Sequence, residues 1–512
     1  MDHTVESQQA VFDLLADPLT HGSLKVRRID THAASVFLAG ARVFKIKRAV
    51  RFPFLDYSTL EKRKTACLAE LEVNRPFAPN LYRRVVPITR EHDGRLALDG
   101  TGTPVEWAVE MHRFDETRTL DRLAETGEID AVLADALGRS VAAAHRGAPI
   151  VDAESWIEAL PSMLRQNDAE LRETPDLFPA SEIDALSRAS QNAFTRIRPL
   201  LLTRGKLGLV RRGHGDLHLG NIALIEGHPV PFDAIEFDPL IASGDVLYDL
   251  AFLLMDLVER GLKETANIVM NRYLAETRRL EDLDALAALP FFLSLRAAIR
   301  AKVTAARLKQ AEPPAREATA DAARTYFRLA GRLLLPAAPT LIAIGGFSGT
   351  GKSVLARMLA SDIAPVPGAV VLRSDVERKA LFGLAETERL SADAYRPEVT
   401  AKVYAILMEK ARRVIAAGHS AVADAVFADV QERDAISSIA TTRKVAFRGF
   451  FLFSNLSTRL ERIGTRARDA SDADVAIARR QESYELGDID WTRIDASGTP
   501  TETLARAKAA FG

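Results

Sequence analysis

Apolar and polar positions alternate in short runs along the first hundred residues, as they do in half-buried strands. Residues 35–40 and 42–46 flank a Gly-containing turn and predict a hairpin. A helix is predicted from Leu60 to Asn74, ending just before a proline, and residues 105–111 predict a further strand. This part of the chain is therefore expected to be rich in strands.

From about residue 115 to residue 335 the apolar positions recur every three or four residues, which indicates amphipathic helices. Asp130–His145 and Leu289–Lys309 are clear cases. Residues 209–237 interrupt this pattern with short strands and loops. Any chemistry placed in that segment would be held on loops between helices.

Beyond a proline-containing linker at residues 336–339, runs typical of strands alternate with runs typical of helices. Strands are predicted at residues 341–345, 370–372, 421–423 and 448–453. Such alternation favours a parallel sheet covered on both faces. The pattern of predicted elements thus changes near residue 340, from mostly helices to alternating strands and helices.

The segment that interrupts the helical pattern carries a loop with the chemistry of phosphoryl transfer, running from His214 to Asn221 and followed by a strand and Asp233. Transfer to a hydroxyl needs a carboxylate that orients the alcohol and accepts its proton, and it needs oxygen ligands for Mg²⁺. Asp216 is the candidate catalytic carboxylate, and Asn221 and Asp233 are the candidate metal ligands.

A second phosphate motif follows the first strand of the C-terminal part. Gly346-x-x-x-x-Gly351-Lys352-Ser353 lies between an apolar strand and a helical run, which is the context of a P-loop. Backbone N–H groups and the helix N-terminus would cradle phosphates there. Lys352 is expected to reach the β- and γ-phosphates, and Ser353 to bind Mg²⁺. The candidate nucleotide-binding residues are Gly346, Ser348, Gly349, Thr350, Gly351, Lys352 and Ser353.

The loop H-G-D-x-H-x-x-N, the following Asp and the stretch Gly244-Asp245-Val246-Leu247-Tyr248-Asp249-Leu250-Ala251 resemble the aminoglycoside phosphotransferase-like branch of the protein-kinase-like fold. The resemblance implies that Lys45 holds the ATP phosphates and that Glu70 positions Lys45. Lys47, on the same side of the strand, is the alternative to Lys45. Residues 31–35 replace the Gly-rich loop, which leaves a weakened or altered nucleotide site open.

The C-terminal motif resembles the P-loop kinases of small molecules or nucleosides. That resemblance implies that Asp375 serves as base or acceptor-binding residue and that Arg378 clamps the acceptor. It also implies a Walker-B-like or substrate-orienting role for Asp424, which is assigned as a metal ligand. Arg462, Arg466 and Arg468 resemble a lid over the transferring phosphoryl group, with Arg466 as the candidate catalytic arginine.

Together the two halves resemble bacterial two-domain proteins that join a phosphotransferase-like half to a P-loop half. The fold class expected is a multidomain α/β and α+β protein, with a protein-kinase-like domain followed by a P-loop NTPase domain on a mainly parallel sheet. The implied domains are an N-terminal lobe at 1–114, a helical lobe at 115–335 and a P-loop domain at 340–512.

The implied function is an ATP- and Mg²⁺-dependent phosphotransferase that acts on hydroxyl groups of small metabolites. Two alternatives stay open. One is a regulatory protein, in which the first domain senses a ligand and the P-loop domain is a nucleotide switch. The other is a kinase that modifies a macromolecule or a cell-wall precursor. Whether aminoglycosides are substrates is left open, because the helical half mixes acidic and basic residues.

Composition narrows the choice of partner and compartment. The 512 residues carry a net charge of −1, which gives no electrostatic footprint for nucleic acid. Cys67 is the single cysteine, so no internal disulfide is possible. The N-terminus lacks the pattern of a signal peptide, and no apolar run is long enough for a bilayer. A cytoplasmic protein is expected, and the sequence does not indicate its oligomeric state.

Overall fold

The computed structural model describes residues 4–52, 55–309, 315–464 and 470–511. The chain forms two compact units. Unit 1 comprises residues 1–166 and 198–256, and unit 2 comprises residues 167–197 and 257–512. The helices between residues 257 and 333 thus belong to the same unit as the P-loop. The finer division at residues 114, 335 and 340 stays a prediction.

Unit 1 is built on an antiparallel sheet with the strand order β1-β2-β3-β8-β6-β7. The strands of this unit are β1 (Val26–Asp30), β2 (Ala34–Ala39), β3 (Arg42–Lys47), β4 (Arg51–Phe52), β5 (Leu55–Asp56), β6 (Tyr82–Arg90), β7 (Leu96–Leu98), β8 (Thr103–His112), β9 (Val210–Arg212), β10 (Ile222–Ile225), β11 (His228–Pro231) and β12 (Ser243–Asp245). The predicted hairpin is confirmed as β2 and β3, with Gly40 at a φ of 59° in the turn.

Helices occur in both units of the chain. They are α1 (Gln9–Ala16), α2 (Leu60–Asn74), α3 (Leu120–Glu125), α4 (Ala131–Gly147), α5 (Ala153–Arg172), α6 (Ala180–Lys206), α7 (Pro239–Ala242), α8 (Val246–Glu259), α9 (Lys263–Thr277), α10 (Leu280–Asp284), α11 (Leu289–Ala306), α12 (Ala315–Leu333), α13 (Lys352–Ala360), α14 (Ser374–Leu381), α15 (Pro397–Ala416), α16 (Val430–Arg443), α17 (Leu456–Gly464), α18 (Val475–Gln481) and α19 (Pro500–Ala509). Across the described ranges, none has the length and apolarity to cross a membrane.

The two faces of the unit 1 sheet have different partners, because successive side chains of a strand point to opposite faces. Phe44 and Ile46 of β3 pack in a core with α1. Val43 packs in a second core with Cys67 of α2. Lys45 and Lys47 share the α2 side of the strand with Val43. The alternation therefore turns both lysines toward α2.

Unit 2 holds a parallel sheet with the order β14-β15-β13-β16-β17. Its strands are β13 (Thr340–Gly346), β14 (Val370–Arg373), β15 (Ala421–Asp424), β16 (Ala446–Phe453) and β17 (Thr492–Asp495). The four predicted strands and the parallel arrangement are confirmed, whereas the edge strand β17 was not predicted. Because the strands are parallel, the residues that follow β13, β14 and β15 meet at one edge of the sheet.

Candidate functional site

Two lysines of β3, the half-buried Lys45 and the buried Lys47, share one carboxylate of α2. Lys45 Nζ lies 2.7 Å from Glu70 Oε1, and Lys47 Nζ lies 2.7 Å from Glu70 Oε2. The helix holds this carboxylate in place because Thr59 caps its start and Asn74, at its end, donates to the Glu70 carbonyl oxygen. The structure thus brings Lys45 and Glu70 together as predicted, and it adds Lys47 to the same network.

The segment after β11 completes this network from the other side. Asp233 Oδ1 lies 2.5 Å from Lys45 Nζ, while Glu236 pairs with Lys47 and accepts a 2.5 Å hydrogen bond from the Tyr57 hydroxyl. Asp233 adopts a φ of 63°, an unusual backbone conformation for an aspartate. Lys45 is therefore the lysine that meets the predicted metal ligand, and Lys47 is the one that meets Glu236.

Two acids of α8 anchor the loop from His214 to Asn221 through its backbone nitrogens. Asp249 of α8 accepts hydrogen bonds from the backbone nitrogens of His214 at 2.8 Å and Gly215 at 2.9 Å, and it contacts His145 at 3.0 Å. Asp256 accepts a further bond from the Leu219 nitrogen at 3.0 Å. Both acids lie in α8, so this helix fixes the backbone of the loop.

Asp216 and Asn221 meet across this loop. The Asn221 side-chain nitrogen donates to both the carbonyl oxygen and Oδ2 of Asp216, each at 3.0 Å. His218 Nε2 lies 3.4 Å from Asp216 Oδ2. Because the amide nitrogen of Asn221 is used in this way, its Oδ1 is the atom suited to a cation.

Electrostatics in unit 1 favour the charged forms of these groups. Burial alone raises the pKa of Asp233, but the Lys45 ammonium outweighs it and the pKa is lowered. Burial alone lowers the pKa of Lys45, but Asp233 and Glu70 raise it well above its usual value. Glu236 keeps a lowered pKa in spite of burial, because of Lys47 and Lys45. The network therefore pairs two ammonium groups with three carboxylates.

The P-loop of unit 2 has the backbone that its motif predicts. Gly346 has a φ of 132°, and a Cβ there would lie 2.4 Å from the Leu452 carbonyl oxygen. Gly349 has a φ of 86°, and its Cβ would lie 2.7 Å from the Arg459 carbonyl oxygen. Only glycine fits either place. The two glycines let the chain turn tightly into α13, which starts at Lys352.

The remaining P-loop residues lie at the N-terminus of α13. The hydroxyl of Thr350 donates to the Phe347 carbonyl at 2.8 Å, and Lys352 Nζ donates to the same carbonyl at 3.1 Å. The Ser348 nitrogen donates to Gln481 Oε1 of α18 at 2.8 Å. Gln481 was not predicted as part of the site, and only the fold brings it to the loop.

A cavity of about 580 Å³ lies at this loop, lined by residues from Ser348 to Leu355 and by the acids that follow the neighbouring strands. Asp424 ends β15 and Asp375 follows β14, so parallel pairing places both acids at the P-loop edge. Burial and the charge of Asp424 raise the pKa of Asp375, while Arg373, Lys352 and Ser471 oppose the rise. The structure therefore groups the predicted Asp375, Asp424 and the P-loop residues from Ser348 to Ser353 around one cavity, and Gly346 is not among the residues that line it.

Arg373 is a functional candidate that the motifs did not reveal. Its Nη2 donates to Ser353 Oγ at 3.0 Å, and its Nε lies 3.3 Å from Asp424 Oδ2. The guanidinium thus bridges the two predicted metal ligands of unit 2. Its position directly after the strand predicted at residues 370–372, two residues before Asp375, was the available signal.

The donor sets at both sites fit Mg²⁺. Unit 1 offers the Asp233 carboxylate and the Asn221 amide oxygen. Unit 2 offers the Ser353 hydroxyl and the Asp424 carboxylate, which already attract the positive Arg373. Within the described ranges, no three His, Cys, Asp or Glu side chains form a metal cluster. Mg²⁺ suits such sparse sites, because it is usually held by one or two carboxylates with waters and substrate phosphates.

The predicted lid is described only in part. Arg466 and Arg468 lie outside the described residues. Arg462 lines the cavity, and its guanidinium donates to the carbonyl oxygens of Ala496 at 2.8 Å and Gly498 at 2.6 Å. The catalytic role of Arg466 therefore stays a prediction.

Known families match both parts of the chain. A model described as "Phosphotransferase enzyme family" matches residues 40–287, and one described as "AAA domain" matches residues 341–485. Uncharacterized proteins of Mycobacterium tuberculosis and Mycobacterium bovis are each 30% identical over 491 residues, covering 93% of this chain and 94% of the relative.

Solved kinases match single parts of the chain. A gluconokinase from Sinorhizobium meliloti 1021 has 21% identity and a TM-score of 0.25, covering 33% of this chain and 90% of that one. An ethanolamine kinase from Plasmodium vivax has 10% identity and a TM-score of 0.37, covering 60% of this chain and 82% of that one. Both TM-scores lie below 0.5, so these structures support no inference on their own.

The family models and the full-length relatives agree with the geometry described above. The chain belongs to the family of these mycobacterial proteins, and in it a phosphotransferase-family domain is followed by a C-terminal P-loop domain that matches the AAA model.

Proposed function

We propose that the protein is an ATP- and Mg²⁺-dependent phosphotransferase that phosphorylates hydroxyl groups of small metabolites, with a nucleotide site in each unit. One observation carries the proposal: Lys352, Ser353, Asp375 and Asp424 line the same cavity. In this cavity the P-loop, which would bind phosphate, faces the carboxylate of Asp375, which can accept a proton. The matches to the two family models also support phosphoryl transfer.

The proposed reaction in unit 2 divides its tasks among these residues. The P-loop amides and Lys352 hold the β- and γ-phosphates of ATP. Asp375 orients the acceptor hydroxyl and accepts its proton as the oxygen attacks the γ-phosphorus and ADP leaves. Ser353 and Asp424 would hold Mg²⁺, which neutralises charge on the phosphates. In unit 1, Lys45, Asp216, Asn221 and Asp233 would take the corresponding roles.

A regulatory role is the alternative for unit 1. The observation that favours it is the pairing of Lys45 with both Glu70 and Asp233. A nucleotide would have to compete with Asp233 for this lysine. The intact Asp216–Asn221 pair favours turnover instead, because a domain that only binds a ligand does not need a proton acceptor beside a metal ligand.

The test is transfer from ATP and Mg²⁺ into a small-metabolite extract, followed by mass spectrometry. Wild type is compared with Asp216→Ala and Lys352→Ala. A product lost only with Lys352→Ala assigns the reaction to unit 2, and one lost only with Asp216→Ala assigns it to unit 1. Wild type that binds ATP yet forms no phosphorylated product would contradict the proposal and favour the regulatory alternative.

A further inference from the structure

The short segment around Asp233 is held through consecutive backbone nitrogens, and the outer two bind backbone oxygens. The Phe232 nitrogen donates to the carbonyl oxygen of Asn221 at 2.8 Å. The Ile235 nitrogen donates to the carbonyl oxygen of His214 at 2.9 Å. Both acceptors are main-chain groups of the loop from His214 to Asn221, so these two bonds do not depend on which side chains the loop carries.

The two inner nitrogens of the segment bind side chains from other elements of unit 1. The Asp233 nitrogen donates to the Tyr82 hydroxyl of β6 at 2.9 Å. The Ala234 nitrogen donates to Asn74 Oδ1 of α2 at 3.0 Å. Tyr82 and Asn74 are both buried. A substitution that removes either acceptor therefore leaves a backbone N–H without its partner at a buried place, which is costly.

Asp233 needs this support because its φ of 63° lies in the left-handed region. Residues other than glycine adopt this region at a cost, and they keep it only where their surroundings hold them there. The φ and ψ angles of Asp233 turn the peptide groups before and after its Cα, and these groups carry the two inner nitrogens. The bonds to Tyr82 and Asn74 thus fix both angles, and with them the direction of the carboxylate.

Asn74 also joins this support to the helix that carries Glu70. Its side-chain nitrogen donates to the Glu70 carbonyl oxygen at 2.8 Å. Glu70 in turn holds Lys45, whose Nζ lies 2.5 Å from Asp233 Oδ1. The carboxylate of Asp233 is therefore held through Lys45, whereas its backbone is held separately through Asn74. A metal ion that draws the carboxylate away from Lys45 would leave the backbone support in place.

We infer that Tyr82 and Asn74 are positioning residues for Mg²⁺ in unit 1. They hold the backbone of Asp233 so that its carboxylate is presented to the metal ion without rearrangement. The inference rests on the nucleotide and metal binding proposed for unit 1. Both side chains act on Asp233 through its backbone, so their loss should weaken metal binding, as the loss of groups that orient a metal ligand does elsewhere.

The experiment measures the Mg²⁺ requirement of unit 1 in the full-length protein, with Lys352→Ala removing the candidate phosphate-binding lysine of unit 2. Binding of a fluorescent ATP analogue is followed as Mg²⁺ is raised, and Asp233→Ala identifies the part that depends on the unit 1 metal site. Tyr82→Phe and Asn74→Ala should each raise the Mg²⁺ concentration at half-maximal binding about tenfold. Affinity for the analogue in EDTA should change less than about threefold, because only metal binding is affected.

The matched control is Tyr57→Phe. Tyr57 is also buried in unit 1, but its hydroxyl donates to Glu236 at 2.5 Å and not to the backbone of Asp233. An unchanged Mg²⁺ requirement in Tyr82→Phe or Asn74→Ala, an equal rise in Tyr57→Phe, or a parallel loss of affinity in EDTA overturns the inference and leaves the proposed function standing. If Asp233→Ala loses no Mg²⁺-dependent binding, the metal site proposed for unit 1 is overturned as well.

Discussion

The two units place their candidate phosphate-binding lysines in opposite surroundings. In unit 1, Lys45 and Lys47 are held by Glu70, Asp233 and Glu236. In unit 2, Lys352 begins a helix after a glycine-rich turn, and Arg373 pairs with Asp424 and donates to Ser353. In unit 1, therefore, carboxylates of the protein pair with the candidate lysines. In unit 2 a guanidinium of the protein pairs with the candidate metal-binding carboxylate.

This difference indicates what a nucleotide must displace in each unit. On the proposed function, the phosphates in unit 1 would compete with Asp233 for Lys45, and a metal ion bound to Asp233 would release Lys45 for the phosphates. In unit 2 the metal ion competes with Arg373 for Ser353 and Asp424. Mg²⁺ and nucleotide are expected to bind cooperatively in both units. The group that couples them is the Asp233 carboxylate in unit 1 and the Arg373 guanidinium in unit 2.

The largest expected effect is on turnover, and it distinguishes the two proposed proton acceptors, Asp216 and Asp375. Asp216→Asn and Asp375→Asn should each lower turnover at their own site about 10³-fold, because the acceptor hydroxyl loses its base. Each should leave the other site unchanged, and nucleotide affinity should change less than threefold. Steady-state rates with the separate acceptors measure this. Loss of both activities in one variant would show that the sites are not independent.

The next effect tests the closed charge network of unit 1. Lys47→Met leaves Glu70 and Glu236 short of a buried partner, and we expect unit 1 to lose about 3 kcal/mol of unfolding free energy. Urea unfolding is followed by the fluorescence of Trp107 and Trp156 in a Trp491→Phe background. The control is Lys62→Met, which removes an exposed lysine paired with Asp56 and should cost less than about 1 kcal/mol.

The Lys47 prediction also has a rescue variant. Glu236→Gln removes one of the two acids that Lys47 neutralises, so the double variant Lys47→Met/Glu236→Gln should be more stable than Lys47→Met alone. A Lys47→Met protein as stable as the Lys62→Met control would show that the network contributes nothing to folding.

A smaller effect depends on pH and on a histidine of unit 2. His419 is buried, contacts the Gly368 carbonyl at 2.9 Å, and has a pKa lowered to about 4 by burial. Between pH 7 and pH 5 the unfolded histidine takes up a proton that the folded one refuses, so stability falls as pH falls, by about 2 kcal/mol. In unit 1 burial likewise lowers the pKa of His214, but there Asp249 opposes the shift.

His419→Gln should remove this part of the pH dependence. Urea unfolding at pH 7 and pH 5 is followed by Trp491 fluorescence in a Trp107→Phe/Trp156→Phe background. The difference between wild type and His419→Gln isolates the histidine from other titrating groups. An equal loss of stability in both proteins between the two pH values would contradict the assignment.

The smallest expected effect concerns the metal site of unit 2. Arg373→Gln removes the guanidinium that Mg²⁺ must displace, and we expect half-maximal binding of a fluorescent ADP analogue at about tenfold less Mg²⁺. The control is Arg443→Gln, an exposed change of the same charge. A higher Mg²⁺ requirement in Arg373→Gln than in the control would mean that Arg373 supports the site instead of competing for it.

Local signals determined much of this protein. Hydrophobic periodicity predicted the hairpin of β2 and β3, helix α2 and four strands of the parallel sheet, because these elements depend on side-chain spacing along the chain. Each phosphate motif is likewise made of residues that lie close together in the sequence. Gly346 and Lys352 belong to one short loop, and Asp216 and Asn221 belong to another. Such sites are readable because the residues that form them are close in sequence.

Only the tertiary structure decided how charges far apart in sequence are paired. Lys47 meets Glu236 across 189 positions, and the link between Ser348 and Gln481 spans 133. The bridge from Arg373 to Ser353 and Asp424 requires three parallel strands to end at one edge. The hydrogen bond from Arg378 of α14 to Thr400 of α15 likewise depends on where the two helices lie. These pairings depend on the packing of whole elements, and no local pattern in the chain encodes them.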